Sequence, residues 1–148
     1  MINWNNDHLR RPVNDQISAK VKKLIIDQID KEQVVIRWCG GEPFISEVYL
    51  DLLEYIISKE KSNIQHVIMT NGSNLKSRTV RALLPYIKEL RVSFDAATPE
   101  TYALTRVNGN WTKLLENIAH IQSLGFNRIT ADFVVQKDNY HEIGRAHV

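Results

Sequence analysis

Two short segments of the sequence carry polar residues at or near a predicted strand. In the first they follow the strand, and in the second they alternate with apolar residues within it. The first is Gly40-Gly41-Glu42-Pro43, which follows the apolar run at residues 34–38. Paired glycines let backbone groups approach a ligand without a Cβ in the way, and proline fixes the path that leaves the turn. The carboxylate of Glu42 suits a cation such as an amino group and is unfavourable for a phosphate. The competing interpretation is a tight turn with a solvated glutamate, because a tetrapeptide alone is weakly specific.

The second segment is LRVSFD, residues 90–95, in which polar and apolar side chains alternate. In an extended strand this alternation places Arg91, Ser93 and Asp95 on one face. Strands covered by helices on both faces are normally apolar throughout. The polar face therefore predicts either a strand that faces a wet cavity, as in an incomplete barrel, or an edge strand with one solvated face. The segment at residues 129–136 repeats the pattern in part, with these residues on one face: Thr130, Asp132, Val134 and Gln136.

Strands and helices alternate along the chain that positions these segments. Apolar runs rich in β-branched residues predict strands that begin near residues 34, 66, 90 and 129, and amphipathic stretches predict helices between them. This order indicates a parallel sheet with right-handed crossovers, either an open doubly wound sheet or part of a barrel. In both architectures ligands bind at the carboxyl ends of the strands. The Gly40–Pro43 turn, Asn71 and Asp95 are all expected there.

The composition sets the protein class. The chain has 148 residues, of which 43% are hydrophobic and 24% charged, so one domain with a core is expected. A net charge of +2 with scattered basic residues gives no reason to expect a nucleic-acid partner. No apolar run is long enough to span a bilayer, and we expect a cytoplasmic protein with no membrane partner. The single cysteine, Cys39, excludes a disulfide within the chain and a zinc site built from its cysteines, and we predict no metal site.

Several motifs occur in order along the chain. They are CGGEPF at 39–44, TNG at 70–72, VSFDAATPETY at 92–102 followed by Arg106, and NGNWTKLLENI at 108–118. Together they resemble the radical S-adenosylmethionine (SAM) superfamily, and most closely its branch with a C-terminal SPASM or twitch extension. The segment FVVQKDNYHE, residues 133–142, is similar to the fifth strand and following turn of that branch. The resemblance implies an α/β fold, a partial (β/α)6 barrel of radical SAM type that is truncated here to about four parallel strands with flanking helices.

The resemblance also implies a chemistry. In that family a 4Fe–4S cluster held by three cysteines of a CxxxCxxC loop binds SAM and cleaves it reductively to a 5′-deoxyadenosyl radical, which takes a hydrogen atom from the substrate. The cofactors carry this chemistry, and the protein positions them and excludes water. SAM and the cluster are therefore the implied cofactors of the intact enzyme. The implied substrate is a peptide, a sugar or a cofactor precursor.

Individual site residues follow from the motifs that match. Gly40, Gly41 and Glu42 match the motif that holds the SAM amino group, and Pro43 completes it. Ser93 and Asp95 match polar positions near the SAM ribose and carboxylate. The remaining expectations are that Asn71 lines the same pocket, that Val134 and Gln136 lie near the adenine, and that Arg106 either pairs with the SAM carboxylate or is an ordinary loop arginine.

The chain also departs from the family pattern. The CxxxCxxC loop is absent, so we assign no catalytic residue and no cluster ligand, and we expect Cys39 to be a small buried thiol. Residues 1–13 are expected to be irregular and residues 14–142 to form the partial core domain. Residues 143–148, IGRAHV, match the translation of a common sequencing adapter and are expected to be a non-native tail. We therefore expect the middle section of a radical SAM enzyme, inactive by itself.

Two other functions remain open on the sequence. The first is a degenerate, non-catalytic domain that binds SAM, another nucleoside or a protein partner. The second is an unrelated α/β enzyme in which Glu42 and Asp95 form an acid/base or metal-binding pair.

Overall fold

The computed structural model describes residues 15–29, 34–59 and 64–145, so the segment 1–13 and the last three residues lie outside the description. Within these ranges there are four strands, β1 (Val34–Trp38), β2 (Ile64–Thr70), β3 (Ile87–Ser93) and β4 (Ile129–Asp132). The helices are α1 (Asp15–Ile29), α2 (Glu47–Ile57), α3 (Arg78–Leu83), α4 (Pro99–Thr105) and α5 (Trp111–Ser123). Two 3₁₀ turns cover Leu84–Tyr86 and Tyr140–Glu142. None of the described helices is long and apolar enough to cross a membrane.

The four strands form one parallel sheet in the order β1-β2-β3-β4. Each connection therefore leads to the adjacent strand, and all of them progress in the same direction across the sheet. A doubly wound sheet would instead reverse its strand order at a switch point. The prediction of an α/β fold with about four parallel strands and flanking helices is confirmed, and the unreversed order is that of a partial barrel.

The hydrophobic core lies on one face of the sheet. Strand pairing places Trp38 beside Ile68, Ile68 beside Leu90 and Leu90 beside Ile129, and all four pack in the core with apolar residues of the helices. The sequence forms helices over this face because their buried positions recur at helical spacing, as at Leu52, Leu53 and Ile56 of α2.

The opposite face of the sheet is polar at β3 and β4. Arg91 pairs in register with Thr130, and Ser93 pairs with Asp132. Because β3 is hydrogen-bonded to both β2 and β4, it is not an edge strand, and that explanation of its polar face is wrong. The wet-cavity interpretation is the one that fits an open barrel with helices on its outer side.

Two element boundaries differ from the prediction. Strand β3 begins at Ile87, before the predicted start near residue 90, and α3 ends before Pro85, because proline cannot continue the helical hydrogen bonds. The alternating pattern at residues 129–136 continues beyond β4, which ends at Asp132. The N–H of Val134 donates to the carboxylate of Asp95 at 2.7 Å instead of to a neighbouring strand.

Candidate functional site

The predicted site residues gather along the edge formed by the carboxyl ends of the strands. The Gly40–Pro43 turn follows β1, Asn71 follows β2, Asp95 follows the last residues of β3, and Gln136 follows β4. Because all four strands are parallel, these segments leave the sheet on the same side.

The turn after β1 presents its backbone to solvent. Gly40 and Gly41 have φ angles of +91° and +66°, which L side chains rarely adopt, and both residues are exposed. A Cβ built on Gly41 would meet no atom within 4 Å, so the backbone conformation, and not lack of space, is what favours glycine there. Cys39 is exposed as well, and the expectation of a buried thiol is wrong, because β1 ends one residue earlier and the chain has already turned outward.

The carboxylate of Glu42 points inward and joins the ends of β1 and β2. Its Oε1 accepts hydrogen bonds from the Thr70 hydroxyl at 2.7 Å and the Phe44 N–H at 3.3 Å, and its Oε2 accepts from the Asn71 N–H at 2.7 Å. Only 8% of Glu42 is exposed, so the alternative of a solvated glutamate is wrong. The side chain fixes the shape of the turn, and Pro43 beside it is buried too.

The carboxylate of Asp95 is held differently. Its Oδ1 accepts from the Val134 N–H at 2.7 Å, and its Oδ2 lies 2.6 Å from Nη2 of Arg106. Asp95 has a φ of +52°, a left-handed conformation that is unfavourable for a residue with a side chain. Two buried side-chain contacts and the bond from Asn139 to its backbone oxygen, at 2.9 Å, hold it there.

Arg106 is the cation that contacts Asp95, and its pairing with a SAM carboxylate stays a prediction. It lies directly after α4, its side chain is 31% exposed, and it forms an ion pair with Asp95. Its Nε is buried and has no hydrogen-bond partner among the residues that the structure describes. An unpaired buried donor is uncommon in folded proteins and needs an explanation.

Two site residues were missed by the sequence interpretation, Asn139 and Glu142. Asn139 is fully buried, and its amide donates to the backbone oxygens of Asp95 and Val134 at 2.9 Å each. Its Oδ1 accepts from the N–H of Gln136 at 2.6 Å. This residue thus fixes the chain after β4 against the end of β3. Val134 and Gln136 themselves are exposed.

Glu142, in the 3₁₀ turn at Tyr140–Glu142, binds the segment that leads into α4. It accepts from the Ala97 N–H at 2.7 Å and from the hydroxyls of Thr98 and Thr101 at 2.7 and 2.9 Å, and it is 2% exposed. Burial alone would raise the pKa of the Glu142 carboxyl, but these hydrogen bonds outweigh burial, and the pKa lies below its usual value. No local sequence signal identifies Glu142, because its partners at Ala97, Thr98 and Thr101 lie 41 to 45 residues away in the chain.

A cavity of about 670 Å³ lies beside this network and is named here the α4–α5 pocket. It is lined by Asn71 and Ser73 after β2, by residues 105–110 between the two helices, and by Tyr102, Lys113, Leu114 and Asn117 of the helices themselves. Two of the predicted SAM-binding residues, Asn71 and Arg106, line it. The other predicted residues lie outside its lining.

The structure gives no support to an acid/base pair of Glu42 and Asp95. Each carboxylate has its own set of partners, and the two share none. Within the described ranges no group of three metal-ligating side chains occurs. A 4Fe–4S cluster bound by three cysteines does not fit this chain either, because the exposed Cys39 is its one cysteine.

Comparison with known proteins agrees with the fold and the motifs. The family model for the radical SAM superfamily matches residues 4–146. Among curated proteins, a GTP 3′,8-cyclase of Tolumonas auensis is 28% identical over 141 residues, which cover 94% of this chain and 38% of the relative. GTP 3′,8-cyclase 2 of Pseudomonas aeruginosa is 30% identical over 103 residues, 69% of this chain and 30% of the relative.

An archaeal relative gives the same result. A probable GTP 3′,8-cyclase of Methanothermobacter thermautotrophicus is 26% identical over 127 residues, 85% of this chain and 41% of the relative. The chain thus spans between 30% and 41% of the length of these relatives. Superfamily membership implies SAM and a 4Fe–4S cluster as cofactors, although the cysteine ligands of the cluster are absent from these residues. With its parallel strands, its ordered motifs and a family match over nearly its whole length, the chain belongs to the radical SAM superfamily.

Proposed function

We propose that this chain forms the SAM-binding part of a radical SAM enzyme that generates a 5′-deoxyadenosyl radical for hydrogen abstraction. The observation that carries the proposal is the exposed turn of Gly40 and Gly41 at the carboxyl edge of the sheet. Its backbone oxygens are suited to accept hydrogen bonds from the ammonium group of SAM. Glu42 then acts by fixing this turn from beneath, since three hydrogen bonds already hold its carboxylate.

The remaining polar groups at this edge fit the other parts of SAM. Ser93 is partly exposed at the last position of β3, on the polar face of the sheet, where a ribose hydroxyl could be bound. Asn71 offers a side-chain amide beside the glycine turn, because its N–H is bonded to Glu42. In this proposal Asp95 holds Arg106 in place, and Pro43 stiffens the turn.

The cluster ligands must come from outside these residues. With one cysteine the chain cannot supply three thiolates, so we propose that the cluster is bound by another segment of the same enzyme and that this chain alone does not cleave SAM. A SPASM or twitch extension with auxiliary clusters is part of the same proposal. Reconstitution of the 148-residue chain with iron and sulfide should give no cluster absorbance, and a stoichiometric 4Fe–4S spectrum would contradict this point.

The names of the relatives support a proposal for the substrate class. The similar proteins reported above are named for action on GTP, and they match this chain at 26–30% identity. Of the peptide, sugar and cofactor-precursor classes that the family allows, we propose the last, in the form of a purine nucleotide.

A pair of glycine variants tests the SAM site. Gly41→Ala and Gly125→Ala each place a side chain at a positive φ, +66° and +85°, where the added Cβ meets no atom within 4 Å. The two changes should therefore destabilise the fold similarly, by about 1 kcal/mol. Gly125 precedes β4 on the opposite side of the sheet, so SAM affinity should fall in Gly41→Ala and stay unchanged in Gly125→Ala. Equal SAM affinity in the two variants, measured by titration calorimetry, would refute the assigned site.

The single cysteine also favours a second candidate, a non-catalytic domain that binds SAM or another nucleoside. The genomic DNA upstream of Met1 distinguishes the two. An in-frame strand followed by CxxxCxxC supports the enzyme. In-frame stop codons and a ribosome-binding site, both upstream of Met1, support the non-catalytic domain.

A further inference from the structure

We propose that the α4–α5 pocket binds the oxygens of an anionic group, a carboxylate or a phosphate, through Arg106 and Lys113. No SAM-binding role was expected for Lys113, and the glycine turn after β1 does not line this pocket. The proposal therefore adds a second contact region to the site, on the far side of Asn71.

The charge of the pocket favours an anion. Arg106 and Lys113 line it, and none of the described residues in its lining is acidic. The other polar groups of the lining include the side chains of Asn71, Asn108 and Ser73, which can donate hydrogen bonds. Cations and neutral donors converging on one cavity bind carboxylate or phosphate oxygens through charge-assisted hydrogen bonds.

Arg106 is held as a donor that still lacks an acceptor. Asp95 occupies its Nη2 at 2.6 Å and so fixes the plane of the guanidinium group. The Nε of the same group is buried and unpartnered within the described part of the chain. A guanidinium offers several N–H donors in a fixed plane that matches two oxygens of a carboxylate or phosphate. Because the Nε itself is not accessible from the pocket, a ligand oxygen there would bind the remaining N–H groups of the guanidinium, on a side chain that is 31% exposed.

The walls of the pocket are preorganised by the turn between α4 and α5. The N–H of Gly109 donates to the backbone oxygen of Arg106 at 2.7 Å, and Asn108 has a φ of +66°. A Cβ at Gly109 would lie 2.6 Å from the Tyr102 ring and 2.8 Å from the Arg106 oxygen, so only glycine fits this close turn. Across the pocket, the buried Asn117 donates to the backbone oxygens of Gly72 and Ser73 at 2.8 and 3.1 Å.

Two ligands could supply the anion. The first is SAM through its α-carboxylate, and the second is a nucleotide substrate through its phosphates. The assignment of the anion to SAM or to a nucleotide rests on the proposed function. The presence of an anion site in the pocket does not. The experiment therefore includes a probe that is neither ligand.

The test compares the wild-type chain with Lys113→Gln, and with Lys137→Gln as a control for loss of one charge. Both lysines are exposed, so both variants should fold, and Lys137 lies outside the pocket. Each protein is titrated with pyrophosphate, with SAM against 5′-methylthioadenosine, which lacks the amino-acid part, and with GTP against guanosine. We expect Lys113→Gln to weaken pyrophosphate binding about fivefold or more, with Lys137→Gln unchanged.

The paired nucleosides identify the source. If the effect of Lys113→Gln appears with SAM and not with 5′-methylthioadenosine, the pocket takes the carboxylate, and the same contrast between GTP and guanosine assigns it to phosphate. Arg106→Lys, which keeps the charge and loses the planar donors, should weaken binding of the same ligand. Pyrophosphate binding without SAM or GTP binding supports the anion site and contradicts the proposed function. Absence of pyrophosphate binding, or equal weakening by both lysine variants, overturns the anion site.

Discussion

The two halves of the ligand-facing sheet edge hold their buried carboxylates in different ways. At the ends of β1 and β2, Glu42 is bonded to one hydroxyl and two backbone N–H groups, and no cation of the described ranges forms a salt bridge with it. At the ends of β3 and β4, Asp95 is bonded to one backbone N–H and to Arg106, which reaches the α4–α5 pocket. The known hydrogen bonds of Glu42 are to uncharged groups of the protein, whereas Asp95 contacts a cation that is partly exposed to solvent.

We infer from this difference that the two carboxylates have different roles at one site. A buried carboxylate whose oxygens accept only neutral donors fixes the backbone, because each lost bond leaves a donor unsatisfied. A carboxylate paired with a partly exposed arginine instead aims that arginine, whose other donors stay free for a ligand. We infer that the β1–β2 end of the site fixes the backbone and that the β3–β4 end presents the positive charge of Arg106 to a ligand.

The largest effect is expected from Glu42→Ala. The variant leaves the Thr70 hydroxyl and the N–H groups of Phe44 and Asn71 without their acceptor, so unfolding free energy should fall by about 3 kcal/mol or more. Urea denaturation measures it, with Glu54→Ala on the exposed side of α2 as a control that should stay within about 0.5 kcal/mol of wild type. A loss in Glu42→Ala no larger than in the control would mean that these bonds do not form.

A smaller effect is expected at the other end of the edge. Asp95→Asn can still accept from Val134 but loses the attraction to Arg106, and we expect a loss of about 1–2 kcal/mol. A double-mutant cycle with Arg106→Gln should give a coupling energy of about 1 kcal/mol. Independent effects of the two substitutions would contradict the ion pair.

Acidification should act first on His66, which lies near the start of β2. His66 accepts a hydrogen bond at Nδ1 from the Trp38 indole at 3.1 Å, and burial lowers the pKa of His66 from 6.5 to about 4. Because the unfolded chain binds the proton more readily than the folded one, stability is complete above pH 6.5 and falls as the pH drops from 6.5 towards 4.

Thermal unfolding at successive pH values measures this loss, and His66→Asn, which does not titrate, is its control. The variant should show no stability change over the window where wild type declines. The Glu142 carboxyl adds a loss only at lower pH, because its pKa lies below the usual value of 4.5 and its contribution disappears as the pH falls through that lowered pKa. Identical pH profiles for wild type and His66→Asn between pH 6.5 and 5 would contradict the neutral His66.

The smallest effect is expected from Gln136→Ala. Its side chain is exposed, and the hydrogen bond to Asn139 uses its backbone N–H, so unfolding free energy should change by less than about 0.5 kcal/mol. The matched change Asn139→Ala removes three hydrogen bonds of a fully buried side chain and should lower the unfolding free energy far more. A similar loss in both variants would show that the network does not depend on Asn139.

Local patterns in the sequence predicted much of the fold. The alternation through Leu90, Arg91, Val92 and Ser93 fixed which side chains of β3 face the core, because strand geometry has a period of two. The starts of α4 and α5 were also predictable, since Thr98 and Asn110 each accept a hydrogen bond from an N–H three residues later. These features depend on neighbours in sequence.

The features that were missed depend on residues far apart in the chain. The partners of Glu42 lie 28 and 29 residues away at Thr70 and Asn71. Glu142 reaches Ala97 across 45 residues, and nothing in the local sequence distinguishes it from a surface glutamate. The early end of β4 has the same origin, because the side chain of Asp95 takes the N–H that a longer strand would have used.

The most direct test of the ligand-facing edge is an amide NMR titration of the labelled chain with millimolar SAM. We predict shifts concentrated at the backbone amides of Gly40, Gly41, Asn71 and Ser93, all at the carboxyl ends of the strands. Absence of shifts, or shifts confined to Gly125 and Arg128 before β4, would contradict the placement of SAM at that edge.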